Sequence, residues 1–144
     1  MTSNHTESWQ DHIDPPESED DGFSALIALA RFLRGPQGCP WDREHGSIDF
    51  ARFGVEEAEE LVEALESDDN DHAAEEWGDV FFVMLAAAAA AEAEGRFSIE
   101  SALRRAHQKM IRRHAHVFSE DRAESPEEAV ARWNAIKAQE KSGG

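Results

Sequence analysis

Two acidic pairs with the same spacing are the feature that most constrains how this chain folds. Glu57 and Glu60 form one pair, and Glu76 and Asp79 form the other in the next apolar-periodic segment. If residues 48–66 are helical, Glu57 falls in the middle of an apolar stripe whose members lie within about 40° of it. The members of that stripe are Phe50, Phe53, Leu61 and Ala64. Glu76 has the same phase in the second helix, so the sequence predicts two helices that turn acidic pairs toward the core.

Carboxylates on an apolar face need a proton, a cation or a metal, because an isolated buried charge is costly. Residues three apart are neighbours on a helix, so each helix can offer two ligands to one centre. The turn-forming residues 67–71 predict that the two helices lie antiparallel. All-oxygen ligation favours Mg²⁺, Mn²⁺ or Ca²⁺ over Zn²⁺. A solvated acidic face is the alternative in a chain with 31 acidic residues among 144, but the shared phase of both pairs favours the metal site.

The pattern of apolar residues predicts an all-α fold without a β-sheet, a four-helix-type bundle of about five helices. Residues 1–21 are predicted to be an acidic, disordered tail, and residues 22–141 one helical domain. No segment has the alternating, β-branched pattern of a strand. The first of the five predicted helices runs from Phe23 to Leu33 and stops at Gly35-Pro36, and residues 35–46 are predicted to be a loop. The two acidic helices are the second and third. The fourth is capped by Ser98, and the fifth begins at Ser125-Pro126.

Charge and composition exclude several classes of function. The formal net charge of −17 argues against binding to nucleic acid, which needs clustered Lys and Arg. The longest uncharged apolar run, residues 80–91, is too short to span a bilayer, so we expect no membrane partner. The single cysteine, Cys39, cannot form an internal disulfide and completes no zinc motif, which fits a cytoplasmic protein.

Basic residues follow the acidic helices and lie partly on the apolar side of the next predicted helix. Arg113 falls on the same line as Ile99 and Ala106, and Lys109 lies at the edge of that line. In an ideal helix Arg112 faces another direction, but it lies so near the predicted end of the helix that its helical phase does not settle which way its side chain points. These cations either neutralise acidic residues and the helix C-terminus or bind an anion such as phosphate.

Six segments in this order together resemble the MazG nucleoside triphosphate pyrophosphohydrolases. They are Gly35-Pro36-Gln37-Gly38-Cys39-Pro40-Trp41-Asp42, Glu56-Glu57-Ala58-Glu59-Glu60, Glu76-Trp77-Gly78-Asp79, Glu94-Gly95-Arg96-Phe97, Arg112-Arg113-His114-Ala115-His116-Val117-Phe118 and Trp133-Asn134-Ala135-Ile136-Lys137. Each motif is weak alone, whereas their order and spacing are specific. The resemblance covers residues 23–141.

The resemblance implies an all-α enzyme that hydrolyses nucleoside triphosphates to the monophosphate and pyrophosphate. It implies Mg²⁺ as cofactor, with Mn²⁺ as a substitute, and a homodimer or homotetramer. Carried over by motif, the metal ligands are Glu57, Glu60, Glu76 and Asp79. The residues assigned to the substrate are Lys109, Arg112 and Arg113 at the phosphates and Trp133 near the nucleotide. Glu56, next to a metal ligand, is the candidate general base, although its ideal helical phase points away from Glu57.

Two positions depart from the pattern of the family. His72 stands four residues before Glu76, at a position where some active domains of the family have Lys. Val83 stands four residues after Asp79, at a position where Asn or Gln is common in the family. Two alternatives to the enzyme therefore stay open. One is a non-catalytic helical module that binds metal or nucleotide, and the other is a phosphatase of the wider superfamily acting on dUTP or modified nucleotides.

Overall fold

The computed structural model describes residues 6–12 and 14–143, and within them every regular element is helical. The six α-helices are α1 (Glu19–Arg34), α2 (Pro40–Glu44), α3 (Ser47–Glu66), α4 (Asn70–Ala93), α5 (Ile99–Arg113) and α6 (Pro126–Ser142). A short 3₁₀ turn, Trp9–His12, precedes them. The described part of the chain contains no strand, which confirms the all-α prediction.

The first helix begins earlier than the sequence predicted, at Glu19 instead of Phe23. Ser18 caps it by accepting a hydrogen bond from the backbone N–H of Asp21 at 3.2 Å. Acidic residues in a first turn are stabilised by the helix dipole, which is why α1 includes the last three residues of the predicted tail. Residues 1–5 and residue 13 of that tail lie outside the described residues, and its disorder stays a prediction.

The prediction of a loop over residues 35–46 was wrong in part, because α2 lies within it and brings the number of α-helices to six. Cys39 is the extended residue before α2, and Pro40 occupies its first helical position, where no backbone N–H is needed. Arg34 anchors this short helix by donating from one Nη to the backbone carbonyl of Asp42 at 2.7 Å and of His45 at 2.8 Å. A helix of five residues is too short to show an apolar period, so the sequence pattern did not reveal it.

The two acidic helices, α3 and α4, form an antiparallel hairpin that has the most extensive contact between any two helices. The bounds predicted for α3 are confirmed to within one residue. Gly54 permits the close approach of the helices, since a Cβ there would lie 2.6 Å from Sδ of Met84. Three alanines of α4, Ala86, Ala87 and Ala90, are buried in one cluster with Phe50 of α3. Small side chains thus let α3 and α4 pack closely in the half of the hairpin away from the turn.

Residues up to Ile99 form one compact unit, and residues from Glu100 onward form a second. In the first unit, α1 packs on α4 and contributes Ala30 to a cluster with Leu85, Ala89 and Ile99. In the second unit, Ser125 caps α6 by accepting from the N–H of Glu128 at 3.2 Å, as the sequence predicted. None of the described helices is long and apolar enough to cross a bilayer.

Candidate metal and substrate site

The α3–α4 hairpin brings together acidic residues that are about twenty positions apart in sequence. Glu57, Glu76 and Asp79 each have a carboxylate oxygen within 4.8 Å of the corresponding oxygens of the other two. Glu60 is exposed and outside this group of three, but its carboxyl group lies within hydrogen-bonding reach of both Glu57 and Glu76. All four predicted ligands therefore face one region, which we call the acidic centre.

Glu76 is the most enclosed member of the acidic centre. Its side chain is only 13 % exposed, and its Oε2 atom is buried without a hydrogen-bond partner. The nearest basic group is His72, whose Nε2 lies 3.7 Å from the other carboxylate oxygen, Oε1. Among the described residues, no Lys or Arg forms an ion pair with any of the four acids. An unpartnered carboxylate oxygen of this kind is expensive in a protein, and a cation would satisfy it.

The pKa values of two acids reflect this lack of compensation. Burial is the largest cause that raises the pKa of Glu57, followed by its hydrogen bond with Glu60 and by repulsion from Glu60, Asp79 and Glu76. Burial likewise raises the pKa of Glu76, and repulsion from Glu60 adds to it, whereas His72 opposes the rise. Like charges that converge without a counter-ion favour the protonated form. A bound divalent cation would reverse that preference.

The donors fit a hard divalent cation. Every candidate ligand is a carboxylate oxygen, which suits Mg²⁺ or Mn²⁺ better than Zn²⁺. The ligands come from two helices that pack on each other through Gly54 of α3 and Ala86, Ala87 and Ala90 of α4. Glu56, the candidate base, is exposed on α3 next to Glu57.

The predicted phosphate-binding residues lie in the second unit, where the structure gives two of them an unpredicted partner. Arg112 donates from Nε to Oε1 of Glu140 at 2.6 Å, and Arg113 donates from an Nη to Oε2 at 2.9 Å. These hydrogen bonds, that from Arg113 first, lower the pKa of Glu140 to about 2. Trp133 packs under Arg113, whose guanidinium carbon lies 5.3 Å from the ring centroid. Lys109 has no such partner among the residues that the structure describes.

Lys109 lines an open cleft in the second unit together with two arginines. Arg105 and Arg112 are the other cations of this cleft, which also includes Ala102, Ala106 and Gln108. Three cations with exposed side chains around one cleft suit an anion such as phosphate. The sequence had singled out Lys109 and Arg112 but not Arg105, which falls between them on the surface of α5.

The sequence assigned no role to a group of aromatic residues beside the acidic centre. Trp41 on α2 and Phe50 and Phe53 on α3 line a pocket that also includes Glu57 and Val83. Phe50 and Phe53 were recognised only as part of the apolar stripe, and Trp41 only as part of a motif. A signal was present, because three aromatic residues fall within thirteen positions just before the first acidic pair.

Comparisons with known proteins identify a family and relatives to which this chain is similar. Residues 49–118 match the family model described as the MazG nucleotide pyrophosphohydrolase domain. The nucleoside triphosphate pyrophosphohydrolase/pyrophosphatase MazG of Thermotoga maritima is 39% identical over 83% of this chain and 45% of its own length. The nucleoside triphosphate pyrophosphohydrolase of Escherichia coli K12 is 36% identical over 81% of this chain and 45% of its own length. The chain thus spans less than half the length of these two relatives.

A solved structure supports the same conclusion at the level of the fold. The crystal structure of a mazG-related protein from Thermotoga maritima superposes with a TM-score of 0.68 at 29% sequence identity, covering 80% of this chain and 98% of that one. The match of the family model includes all four residues of the acidic centre and the basic residues of α5. On this evidence, the chain belongs to the MazG family of nucleotide pyrophosphohydrolases.

Proposed function

We propose that this protein hydrolyses nucleoside or deoxynucleoside triphosphates to the monophosphate and pyrophosphate, with Mg²⁺ as cofactor and Mn²⁺ as a substitute, in the cytoplasmic nucleotide pool. The observation that carries the proposal is the convergence of Glu57, Glu76 and Asp79 within 4.8 Å. The buried Oε2 of Glu76, which has no hydrogen-bond partner among the described residues, adds a position that a bound cation would satisfy. Family membership and the names of the relatives support the reaction class.

In this proposal Glu57, Glu60, Glu76 and Asp79 hold the cation. When bound, a divalent cation neutralises charge on phosphate oxygens and lowers the pKa of water. The protein contributes the rigid placement of the four carboxylates, since α3 and α4 are held by close helix packing. Placement of this kind is most of what a protein supplies in phosphoryl transfer.

The proposed reaction joins the oxygen of a water molecule to the α-phosphorus. The bond from that phosphorus to the oxygen that bridges it to the β-phosphorus breaks, and pyrophosphate leaves. Glu56 is our candidate for the group that accepts the proton of the water, because it adjoins Glu57 and its side chain is exposed. A Glu56→Gln variant is expected to lose most of its turnover, whereas Glu59→Gln, a matched exposed acid on the same helix, is not.

We assign substrate binding to Lys109, Arg112, Arg113 and Trp133. The cationic cleft formed by Arg105, Lys109 and Arg112 offers point charges and forked donors suited to phosphate oxygens. Glu140 holds Arg112 and Arg113 in fixed orientations, so less side-chain freedom is lost when an anion binds. The Arg113 guanidinium over the ring of Trp133 is fixed in the same way.

We also propose that the protein is a homodimer or homotetramer. An aliphatic stripe with alternating spacings of three and four runs along the exposed side of α3, as in a coiled-coil seam. Its members are Ile48, Ala51, Val55, Ala58, Val62 and Leu65. Val55 is 61 % exposed and Val62 is 53 % exposed, which is unusual for a regular aliphatic stripe on a monomer. Light scattering of the wild type and of Val55→Glu would show the larger species only in the former.

A second candidate function rests on the two departures from the family pattern. His72 lies 3.7 Å from Glu76 and occupies a position where some family domains have Lys. Val83, four positions after Asp79, stands where a polar residue is common in the family. Both changes could leave a module that binds metal and nucleotide without hydrolysis. Calorimetry that shows nucleotide binding without product would favour that function.

The experiment that tests the leading proposal is a substrate panel. The purified protein is incubated with Mg²⁺ or Mn²⁺ and each common NTP and dNTP, including dUTP, and assayed for monophosphate and pyrophosphate. We expect release of both products and their loss in Asp79→Asn. Turnover confined to dUTP or modified nucleotides would instead favour the phosphatase alternative. No turnover on any substrate, or equal turnover by Asp79→Asn, would contradict the proposal.

A further inference from the structure

A pocket of about 360 Å³ adjoins the acidic centre within the first unit. Its walls are Trp41 of α2, Phe50 and Phe53 of α3, and Phe82 and Val83 of α4. This volume lies within the range of about 300–1,000 Å³ typical of small-molecule sites. Mostly apolar walls with few polar groups are also typical of such sites, so the pocket is suited to a small, flat, largely apolar ligand.

Glu57 connects the pocket to the acidic centre, because it lines the one and belongs to the other. In a nucleotide, only the ribose separates the α-phosphate from the base. A nucleotide whose α-phosphate lies at the acidic centre would therefore place its base, and not its terminal phosphate, in a pocket that begins at Glu57. The apolar walls offer no partner for the charged phosphates, which would stay outside the pocket, whereas a flat and largely apolar base would be accepted.

The aromatic side chains of the pocket provide a surface on which a base can stack. The Trp41 and Phe53 rings are nearly parallel, at 19° with centroids 5.8 Å apart, and Phe50 meets Trp41 edge to face at 83°. Trp41 is 51 % exposed, so much of its indole is open to a ligand. Its backbone carbonyl bonds Nδ1 of His45 at 2.8 Å, which fixes the end of α2 that carries it. Stacking on such rings binds every base, so it gives affinity without selection.

Asp42 is the polar group of the pocket outside the acidic centre. Its backbone carbonyl accepts hydrogen bonds from Arg34 at 2.7 Å and from the N–H of His45 at 3.2 Å, which fixes its position. Its carboxylate has no hydrogen-bond or ion-pair partner among the described residues, although Asp42 is half-buried and lines the pocket. A carboxylate that is carried on a fixed backbone beside an aromatic wall is a recognition element for a base that presents N–H groups.

We propose that this pocket binds the nucleobase and that Asp42 selects guanine over uracil and thymine, an inference that rests on the proposed function for the substrate class. A carboxylate has two acceptor oxygens and no donor. Guanine presents two adjacent donors, N1–H and the N2 amino group, which match both oxygens. Adenine and cytosine present one amino donor next to an acceptor nitrogen. Uracil and thymine present one N–H between two carbonyls that the carboxylate repels.

The expected order of affinity is therefore guanine first, adenine and cytosine next, and uracil and thymine last. Val83 is consistent with this assignment, because an apolar residue at that position leaves Asp42 as the group that discriminates between bases. A good bidentate contact to a base discriminates by about 1–3 kcal/mol, which corresponds to a preference of about 5- to 150-fold.

The test is calorimetric titration of the full-length protein with GMP, AMP, CMP and UMP in the presence of Mg²⁺. We expect GMP to bind about 5- to 150-fold more tightly than UMP. Asp42→Asn should reduce this ratio to near one, since the amide can donate to the uracil carbonyls. Glu44→Gln, an exposed acid in the same short helix outside the pocket, should leave the ratio unchanged. In turnover, Asp42→Asn should raise KM for GTP more than it lowers kcat.

Trp41→Leu is a second variant that keeps the test decisive if Asp42→Asn does not fold. Trp41 is half exposed, so its loss should spare the fold and weaken all four monophosphates by about 5- to 150-fold. Equal binding of GMP and UMP to the wild type, an unchanged ratio in Asp42→Asn, or unchanged affinities in Trp41→Leu would each overturn the inference.

The two proposals fail in distinguishable ways. An Asp42-dependent preference for GMP without turnover of any triphosphate would support the pocket and contradict the enzyme. Turnover of all triphosphates with no dependence on Asp42 would support the enzyme and contradict the pocket.

Discussion

The acidic centre and the carboxylate of Glu94 lie in the same small unit, but the protein stabilises the negative charge of Glu94 and leaves that of the acidic centre largely uncompensated. Glu94 accepts hydrogen bonds from the backbone N–H and hydroxyl of Ser47, at 2.8 and 2.6 Å, and from Arg96 at 2.6 Å. These partners, the Ser47 hydroxyl first, lower its pKa to about 2. Glu57 and Glu76 have their pKa values raised, because burial and neighbouring acids oppose their charge.

The contrast separates structural acids from functional ones. Glu94 joins the start of α3 to the chain after α4, and its charge is satisfied by the protein itself. Among the described residues, no Lys or Arg pairs with the acidic centre and His72 is its basic neighbour, although the same unit has arginines that pair elsewhere, such as Arg31 with Glu92 at 2.8 Å. Unbalanced charge of this kind reduces stability and is typical of sites completed by a ligand.

The largest expected effect is on turnover. Glu76→Gln keeps the shape of the side chain but removes a charge from the acidic centre, and it should lower kcat/KM by about 10³-fold or more. Glu94→Gln, the matched change at a structural acid, should leave kcat/KM within about threefold of the wild type. Steady-state assays on the best substrate of the panel measure both. Similar losses in the two variants would show that the acids do not differ in role.

The second effect is on thermal stability in the presence of metal. A ligand at 100 times its dissociation constant stabilises the folded state by about 2.7 kcal/mol, which corresponds to an increase in Tm of about 5–10 °C for a chain of this size. Saturating Mg²⁺ should give such an increase for the wild type and for Glu94→Gln, measured by scanning calorimetry against EDTA. Glu76→Gln should show none, and NaCl at matched ionic strength should not reproduce the effect.

The parts of this contrast that could be predicted from the sequence are those with a local signature. The phase of Glu57 within the apolar stripe of α3 predicted its inward position, because helical periodicity is a property of neighbouring residues. The approach of Glu57 to Asp79 followed from the short turn between α3 and α4. The Ser125 cap of α6 was predicted for the same reason, since it depends on residues within one turn.

The parts that could not be predicted depend on contacts between distant residues. Arg113 and Glu140 are 27 positions apart, so no local pattern of the sequence indicates that Glu140 forms an ion pair with Arg113. The position of Asp42 depends on Arg34 and on a helix too short to have a period. The aromatic pocket needs α2, α3 and α4 together, and only their packing shows that its wall begins at Glu57.

The smallest expected effect is a change with pH in the free energy of unfolding, measured without metal. This change has one sign for the acidic centre and the opposite sign for Glu94. A raised folded-state pKa, as for Glu57 and Glu76, contributes stability that is present below the ordinary carboxylate pKa and is lost as pH rises through the folded value. The folded pKa of about 2 for Glu94 contributes stability that is present above the ordinary value and is lost as pH falls toward 2.

In EDTA, the free energy of unfolding of the wild type should therefore gain a contribution from the acidic centre as pH falls through the raised pKa values of Glu57 and Glu76 toward the ordinary carboxylate value. Glu76→Gln should reduce this gain, while Glu94→Gln should reduce stability over the same range without changing the slope. Urea denaturation at each pH measures both. His72 lies 4.0 Å from Glu75 as well as 3.7 Å from Glu76, so Glu75→Gln is the control for the interaction with His72. If Glu75→Gln flattens the slope as much as Glu76→Gln does, the pH dependence does not belong to the acidic centre.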